Sequence, residues 1–240
     1  MIDPDLDRAF EQTWPAAEYR TVSGFRVARG EGGGGRLNAA RAVGNWTAQD
    51  VDQVVAVQHG WGAAPLVLAF DHQFDLSDLL IGRGWQARDA TVLLQAPVKL
   101  LTDRTIPPVT AFTIWPPLAI QCELWDEAGI GPARRAAMAR VVHPKAALLG
   151  RVRDRAAGAG FVAVCGSVAM VHAMAVHPDF RRMGVAGWLM RRAAVFAAEH
   201  GAGRIALAVT RANDAGLGFY RALGFDEAGG YRYFSPPDGG

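Results

Sequence analysis

The sequence predicts an α/β fold, a central mixed β-sheet flanked by helices, with a smaller α/β segment (residues 1–103) ahead of a larger one (residues 104–240). Three observations predict it. From Val109 onward, apolar runs of strand length trade places with stretches of helical spacing, in the order strand, helix, helix, three strands, helix, strand, helix, strand. The run Val168–Val176 is rich in Ala and Val, stops at His177-Pro178, and gives onto a glycine turn and a long amphipathic helix. Finally, the segment around Gly84-Trp85 echoes the segment around Gly224-Phe225: each reads as short helix, Gly-aromatic corner, strand.

Taken in order, Met1–Glu18 reads as a short acidic helical start interrupted by Pro15. Phe25–Arg29 and Arg36–Ala40 flank Gly32-Gly33-Gly34-Gly35. No Gly-Lys-Ser/Thr follows these glycines and the next segment looks extended, so a floppy hairpin loop is expected rather than a phosphate loop. Thr47 with Asp50 forms a capping box for a helix to about His59. Pro65–Phe70 is a short strand, Leu76–Ile81 a helical turn or two, and Thr91–Gln95 a strand. Setting Gly84 against Gly224 aligns Leu79-Leu80 with Phe219-Tyr220 and Thr91–Leu94 with Tyr231–Phe234. The first hundred residues are thus either a degenerate copy of the fold that follows or an unrelated α/β extension. In both cases the expected job is structural: covering a sheet edge, walling a groove or forming a subunit contact.

Leu101–Val109 is a polar, proline-stiffened joint. Val109–Ile114 alternates like a strand, Trp115-Pro116-Pro117 stays extended, and helices follow from Leu118 to about Ala128 and from Pro132 to near His143. Ala146–Arg153, Gly160–Cys165 and Val168–Val176 read as strands, with turns at Ala157-Gly158 and Gly166-Ser167. Val185, Leu189, Ala193 and Phe196 keep helical spacing up to His200-Gly201. A strand Arg204–Thr210, a helix near Ala215–Leu223 and a last strand complete the chain.

Between the third of those strands and its helix lies Arg181-Arg182-Met183-Gly184-Val185-Ala186. A glycine there lets a ligand approach free amides at the positive end of the helix dipole, a ready phosphate site, and the arginines add charged donors at its rim. This stretch, with Val176 and Pro178 before it, resembles the acetyl-coenzyme A loop of GNAT-type N-acetyltransferases. Asn213 through Tyr220 to Gly224-Phe225 resembles the second motif of that family. The resemblance covers residues 109–234 well and the first hundred loosely. It implies a GNAT acyl-CoA N-acyltransferase fold, acetyl-CoA as cosubstrate, and direct attack of a primary amine. It also implies that the backbone of Arg181, Arg182, Met183, Gly184, Val185 and Ala186 cradles the pyrophosphate, and that Met174, Ala175 and Val176 pair with the pantetheine arm. Asn213 then positions the cofactor or caps the next helix, and Tyr220 is the general acid. Two departures stand out: Gly216 where alanine is usual, and Gly218 a turn before Tyr220, each weakening a helix by about 1 kcal/mol. The N-terminal echo lacks such a loop and has Leu80 in place of the tyrosine, so it is expected neither to bind nor to catalyse.

An alkyl ammonium titrates near ~10.4, so a base must remove its proton. GNAT look-alikes often place a glutamate on the strand before the loop; here His172 is the one titratable side chain on it. By alternation His172 shares a face with Met174 and Val176, and it reads either as base or as a satisfied core residue. Glu123 is a lesser candidate, His177 reads as a turn residue, and Cys165 as a small buried hydrophobe. Trp115 and Trp125 read as acceptor-pocket walls or as core.

A net charge of +2 gives no broad field for nucleic acid or anionic membrane. Cys122 and Cys165 lack metal-ligand spacing, no signal peptide opens the chain, and no apolar run reaches spanning length. The expectation is a soluble cytoplasmic protein with no metal, a small-molecule or peptide amine as its partner, and a homodimer left open. The competing functions are a non-catalytic acyl-CoA-binding regulatory module and transfer of a longer acyl group.

Overall fold

In a computed structural model, which describes residues 2–237, the elements from Val109 onward fall in the predicted order, and the first half adds an unexpected strand at Glu18–Val22; Met1 and residues 238–240, the outer ends of the two expected segments, lie outside it. The first half comprises α1 (Pro4–Gln12), β1 (Glu18–Val22), β2 (Phe25–Arg29), α2 (Gly35–Asn38), β3 (Ala40–Ala42), α3 (Ala48–Gly60), β4 (Val67–Phe70), α4 (Phe74–Gly82) and β5 (Gln86–Pro97). The second comprises β6 (Ala111–Ile114), α5 (Ala119–Glu127), α6 (Pro132–Arg140), β7 (Lys145–Val152), β8 (Arg155–Cys165), β9 (Val168–Val176), α7 (Val185–Glu199), β10 (Arg204–Thr210), α8 (Asp214–Ala222) and β11 (Asp226–Ser235). All eleven strands form one sheet, ordered β1-β2-β3-β4-β11-β5-β10-β9-β8-β7-β6.

That order is nearly a palindrome, because the chain contains the same unit twice. β3 runs parallel to β4 as β9 runs parallel to β10, each pair linked by a crossover helix, α3 or α7. The two final strands are exchanged: β5 pairs with β10, and β11 pairs with β4. They meet at the centre, where Thr91 opposes Tyr231, Asp226 opposes Gln95 and Ser235 opposes Gln86. The corners agree bond for bond at a constant offset of 140 positions, the distance from Gly84 to Gly224. Trp85 N–H donates to Leu80 O (3.0 Å) and Phe225 N–H to Tyr220 O (3.1 Å), each closing its helix with a glycine at positive φ. The first half therefore repeats the topology and corner geometry of the second.

The sheet is buried on both faces. On one, α7 and α8 cover Val92, Leu94, Val171 and Leu207, while α3 and α4 cover Val67, Ala69 and Phe234. On the other, α1 lays Leu6, Ala9 and Phe10 over Leu93, Met170, Ala206 and Tyr231, and α5 and α6 pack over Phe161 and Ala163. Burying one Leu or Phe contributes about 1.5–3 kcal/mol, so these layers hold the two halves as one body. No described helix is long and apolar enough to cross a membrane, and no described His, Cys, Asp or Glu cluster has metal-site geometry.

Three local expectations need correction. Gly35–Asn38 is a helical turn, not an extended segment, because Asn38 folds its side chain back, Nδ2 donating to Gly34 O at 2.8 Å and Oδ1 accepting from Gly30 N at 2.8 Å. The turn between β7 and β8 lies at Arg153-Asp154, both at positive φ, rather than at Ala157-Gly158. Gly158 instead lies inside β8, where an added Cβ would sit 2.8 Å from Ala175 O and 3.0 Å from Val185. Third, β9 does not alternate to its end. Its register against β8 shifts between Phe161 and Ala159, and Ala173 takes φ +52, which is a β-bulge. Met174 and Val176 face α7, whereas His172 packs with Trp14 and Phe161 on the opposite side.

Candidate active site

Two crossover helices in equivalent places begin differently, and that difference locates the site. At α3 the carboxylate of Asp50 turns back to accept from Thr47 N–H (2.7 Å) and Thr47 O–H (2.9 Å), so an internal anion occupies the helix start. At α7 the capping residue is Gly184, in the left-handed conformation (φ 81°, ψ 0°), with no side chain available as a cap. Arg181, Arg182, Met183 and Gly184 are solvent-exposed, and neither arginine has an ion-pair partner among the described residues. Val185 turns into the core and Ala186 faces a cleft. The start of α7 is therefore open to solvent, positive, and unplugged.

Beside it the sheet splits. β9 and β10 pair from Val168↔Arg204 as far as Val171↔Leu207, then diverge: β10 continues along β5 and β9 continues along β8. The divergence coincides with the bulge at Ala173-Met174, which Trp125 clamps, its indole Nε1–H donating to Ala173 O at 2.9 Å. The edge of Ala173–Val176 that faces β10 is left without a strand partner. A cleft of about 610 Å³ runs through the gap. Met174, Ala186, Asn213 and Tyr220 line it on the α7–α8 side; Trp14, Arg36, Asp89, Arg134 and Tyr233 line it beyond the sheet.

Tyr220 is 9 % exposed, packed edge-on against Phe219 and Phe225 at 5.0 and 5.8 Å, and its hydroxyl has no protein hydrogen-bond partner among the described residues. Burial pushes its ionisation up to about 12, so it holds its proton throughout the neutral range. Asn213 caps α8, Oδ1 accepting from Gly216 N–H at 2.9 Å. This explains the unusual glycine: a Cβ on Gly216 would lie 2.6 Å from Asn213 Nδ2.

His172 lies at the cleft but is poorly placed to accept a proton. Thr13 Oγ1 gives its one hydrogen to Ala9 O (2.6 Å), so its 2.9 Å contact with His172 Nε2 requires Nε2 to be the donor. The lone pair is then on Nδ1, which faces Arg36 Nη1 at 3.4 Å. Burial first, and the Arg36 charge second, hold the imidazole well below its ordinary pKa, hence neutral. The unfolded chain, titrating near ~6.5, therefore binds this proton more readily than the folded one, and stability falls as pH drops below that value, by up to about 1.4 kcal/mol per unit. His172→Gln should flatten the fall of Tm between pH 7 and pH 5 relative to the wild type; parallel melting curves would refute this assignment.

The other expectations sort cleanly. Trp125 is core and a clamp on the bulge, Trp115 lies outside the cleft, and Glu123 is exposed away from it. His177 is a turn residue, accepting from Asp179 N–H at 3.2 Å, and Cys165 is a buried thiol pushed up by burial. Ala175 is buried and Val176 half-buried, so along Ala175–Val176 the unpaired backbone edge, rather than the side chains, is what the cleft offers. Sequence reasoning missed Trp14, Arg36, Asp89 and Arg134. The glycine run was the available signal, since it carries Arg36 to the cleft.

Residues 119–225 match the acetyltransferase (GNAT) family. A GCN5-related N-acetyltransferase from Kribbella flavida has a similar structure (TM-score 0.72, 15% identity, 98% of this chain and 94% of that one). So does a tandem GNAT protein from the clavulanic acid biosynthesis pathway (0.60, 15%, 83% and 76%). A GNAT-family protein from Novosphingobium aromaticivorans matches at 0.59 and 15%, over 98% and 100%. No curated protein matches the sequence.

Proposed function

Because the chain has the tandem GNAT fold and its residues 119–225 match the acetyltransferase (GNAT) family, we propose that it transfers the acetyl group of acetyl-CoA to a primary amine by direct attack, with Tyr220 as general acid. One observation carries this reading: the uncapped start of α7 opens beside the gap between β9 and β10, with the unpartnered Tyr220 hydroxyl in the same cleft. A diphosphate suits amides from Arg182 to Ala186, with Arg181 and Arg182 screening its charge. The free edge of Met174–Val176 suits an extended amide-bearing arm, as an added strand would. When bound, acetyl-CoA supplies an activated thioester.

The chain's own residues then act on protons. Tyr220 faces a departing thiolate whose ordinary pKa is ~8.5, so full transfer from a group at about 12 is uphill by about 5 kcal/mol. Burial of the thiolate in the same cleft narrows that gap, and Tyr220 acts first as a hydrogen-bond donor, giving up its proton late. On the amine side His172 is neutral and its lone pair is engaged. Asp89 is the carboxylate that lines the cleft, and it or a water beside it takes the ammonium proton. The first half keeps the fold without the chemistry, since Asp50 fills its anion site and Leu80 replaces the tyrosine. It contributes the far wall through Arg36 and Asp89.

The test is thiol release from acetyl-CoA with a panel of amines, beside calorimetric binding of CoA. Release dependent on an amine supports transfer. Tight CoA binding with no release on any amine favours the regulatory module.

A further inference from the structure

The cleft has a second cationic end, away from the start of α7. Arg36 reaches it from α2 and Arg134 from α6, both on the α1–α6 side of the sheet, opposite the face that carries α7, Arg181 and Arg182. Neither Arg36 nor Arg134 has a carboxylate partner among the described residues. The Arg36 guanidinium sits over the Phe10 ring (3.9 Å to its centroid), donates to Phe10 O, faces His172 Nδ1, and leaves a buried Nε–H with no acceptor. Its desolvation is severe enough to pull even a guanidinium down to about 10. Arg134 is half-buried and aimed by the glycine loop: its Nε donates to Gly33 O at 3.3 Å, and a Cβ on Gly34 would come within 3.2 Å of Nη2. The loop is bare there, and Gly33, Gly34 and Arg134 line the cleft together.

A buried guanidinium with no carboxylate partner is costly, and an anionic group on a ligand would offset that cost. Two arginines against the single carboxylate of Asp89 leave this end one positive charge in excess. Planar guanidinium forks suit a planar carboxylate, and the Asp89 carboxylate in the same cleft suits an ammonium, so the lining matches a molecule that carries both groups.

We propose that the acceptor amine also carries a carboxylate: a small amino-acid-type substrate whose carboxylate is held by Arg134 and Arg36 while its ammonium faces Asp89. Arg134 is then a specificity-determining residue. This rests on the transfer reading above and names the substrate class for it.

The test compares α- and ω-amino acids with their carboxamides, alongside phosphoethanolamine and ethanolamine. The expected wild-type kcat/KM favours acid over matched amide by about 10–100-fold, the worth of a charge-assisted contact. In Arg134→Gln that ratio falls toward one, and in Arg134→Lys it partly returns; a merely structural role would not move the ratio. Equal turnover of acids and amides, or a ratio unchanged in Arg134→Gln, overturns the proposal, and preference for phosphoethanolamine over every amino acid overturns it in favour of a phosphate. Should no amine turn over, thermal shifts of the CoA-saturated protein with the same compounds decide: protection by acids and not amides, lost in Arg134→Gln, supports the site, and equal protection or none overturns it. Calorimetry of CoA alone reports separately on the cosubstrate loop, so the two failures are distinguishable.

Discussion

Gly184→Val is expected to weaken CoA binding by about 100-fold, the equivalent of two lost charge-assisted hydrogen bonds at about 1.5 kcal/mol each. Gly184 sits at φ 81° with open space around its missing Cβ, the nearest atom being Trp188 Nε1 at 3.7 Å. The protein would thus tolerate the extra atoms sterically, and the branched side chain would stand where a phosphate must approach the amides. A left-handed backbone also costs a non-glycine residue about 1–2 kcal/mol of stability. Gly201, at the other end of the same helix, separates the two effects. It has φ +79 and nothing within 4 Å of a built Cβ, so Gly201→Val carries the strain without touching the cleft. Calorimetry should find affinity retained in Gly201→Val and lost in Gly184→Val. Equal affinities in the two variants would remove the helix start as the diphosphate site.

Tyr220→Phe is expected to lower kcat about 100-fold, the lower end of what a positioned acid contributes, while leaving the unfolding free energy within about 0.5 kcal/mol of wild type. The ring keeps its contacts with Phe219 and Phe225, and the deleted hydroxyl had no protein partner to abandon. The pH dependence adds a second check. With Tyr220 held protonated up to about 12, no loss of rate from its ionisation is expected below about pH 10, and the rise of kcat/KM with pH reports deprotonation of the amine. An undiminished rate in Tyr220→Phe would hand the thiolate's proton to water.

The two halves of the fold were unequally legible. The second half could be read because its signals are local: Pro178 stopping β9, Gly184 opening α7 and Gly224 closing α8 each act within one turn of backbone. The repeat was visible as a match of two corners. The exchange of β5 with β11 was not, since a strand's pairing partner depends on contacts more than a hundred residues away, and both strands carry apolar residues suited to either neighbour. The face of His172 was misread for a similar reason. Alternation presumes an unbroken ladder, and the bulge at Ala173 is maintained from outside the strand, by the Trp125 indole on α5.

By itself the sequence determined the α/β class, the order of elements in the second half, the glycine turn at Arg181–Ala186 and the tyrosine after it, because each is written in neighbouring residues and short-range backbone preference. Only the tertiary structure decided that Asp50 fills the start of α3 where Gly184 leaves the start of α7 open, that His172 is neutral and engaged, and that Arg36 and Arg134 line one cleft. Those outcomes depend on burial and on charges that approach through space, and residues as far apart as 36, 134 and 172 carry no trace of one another along the chain.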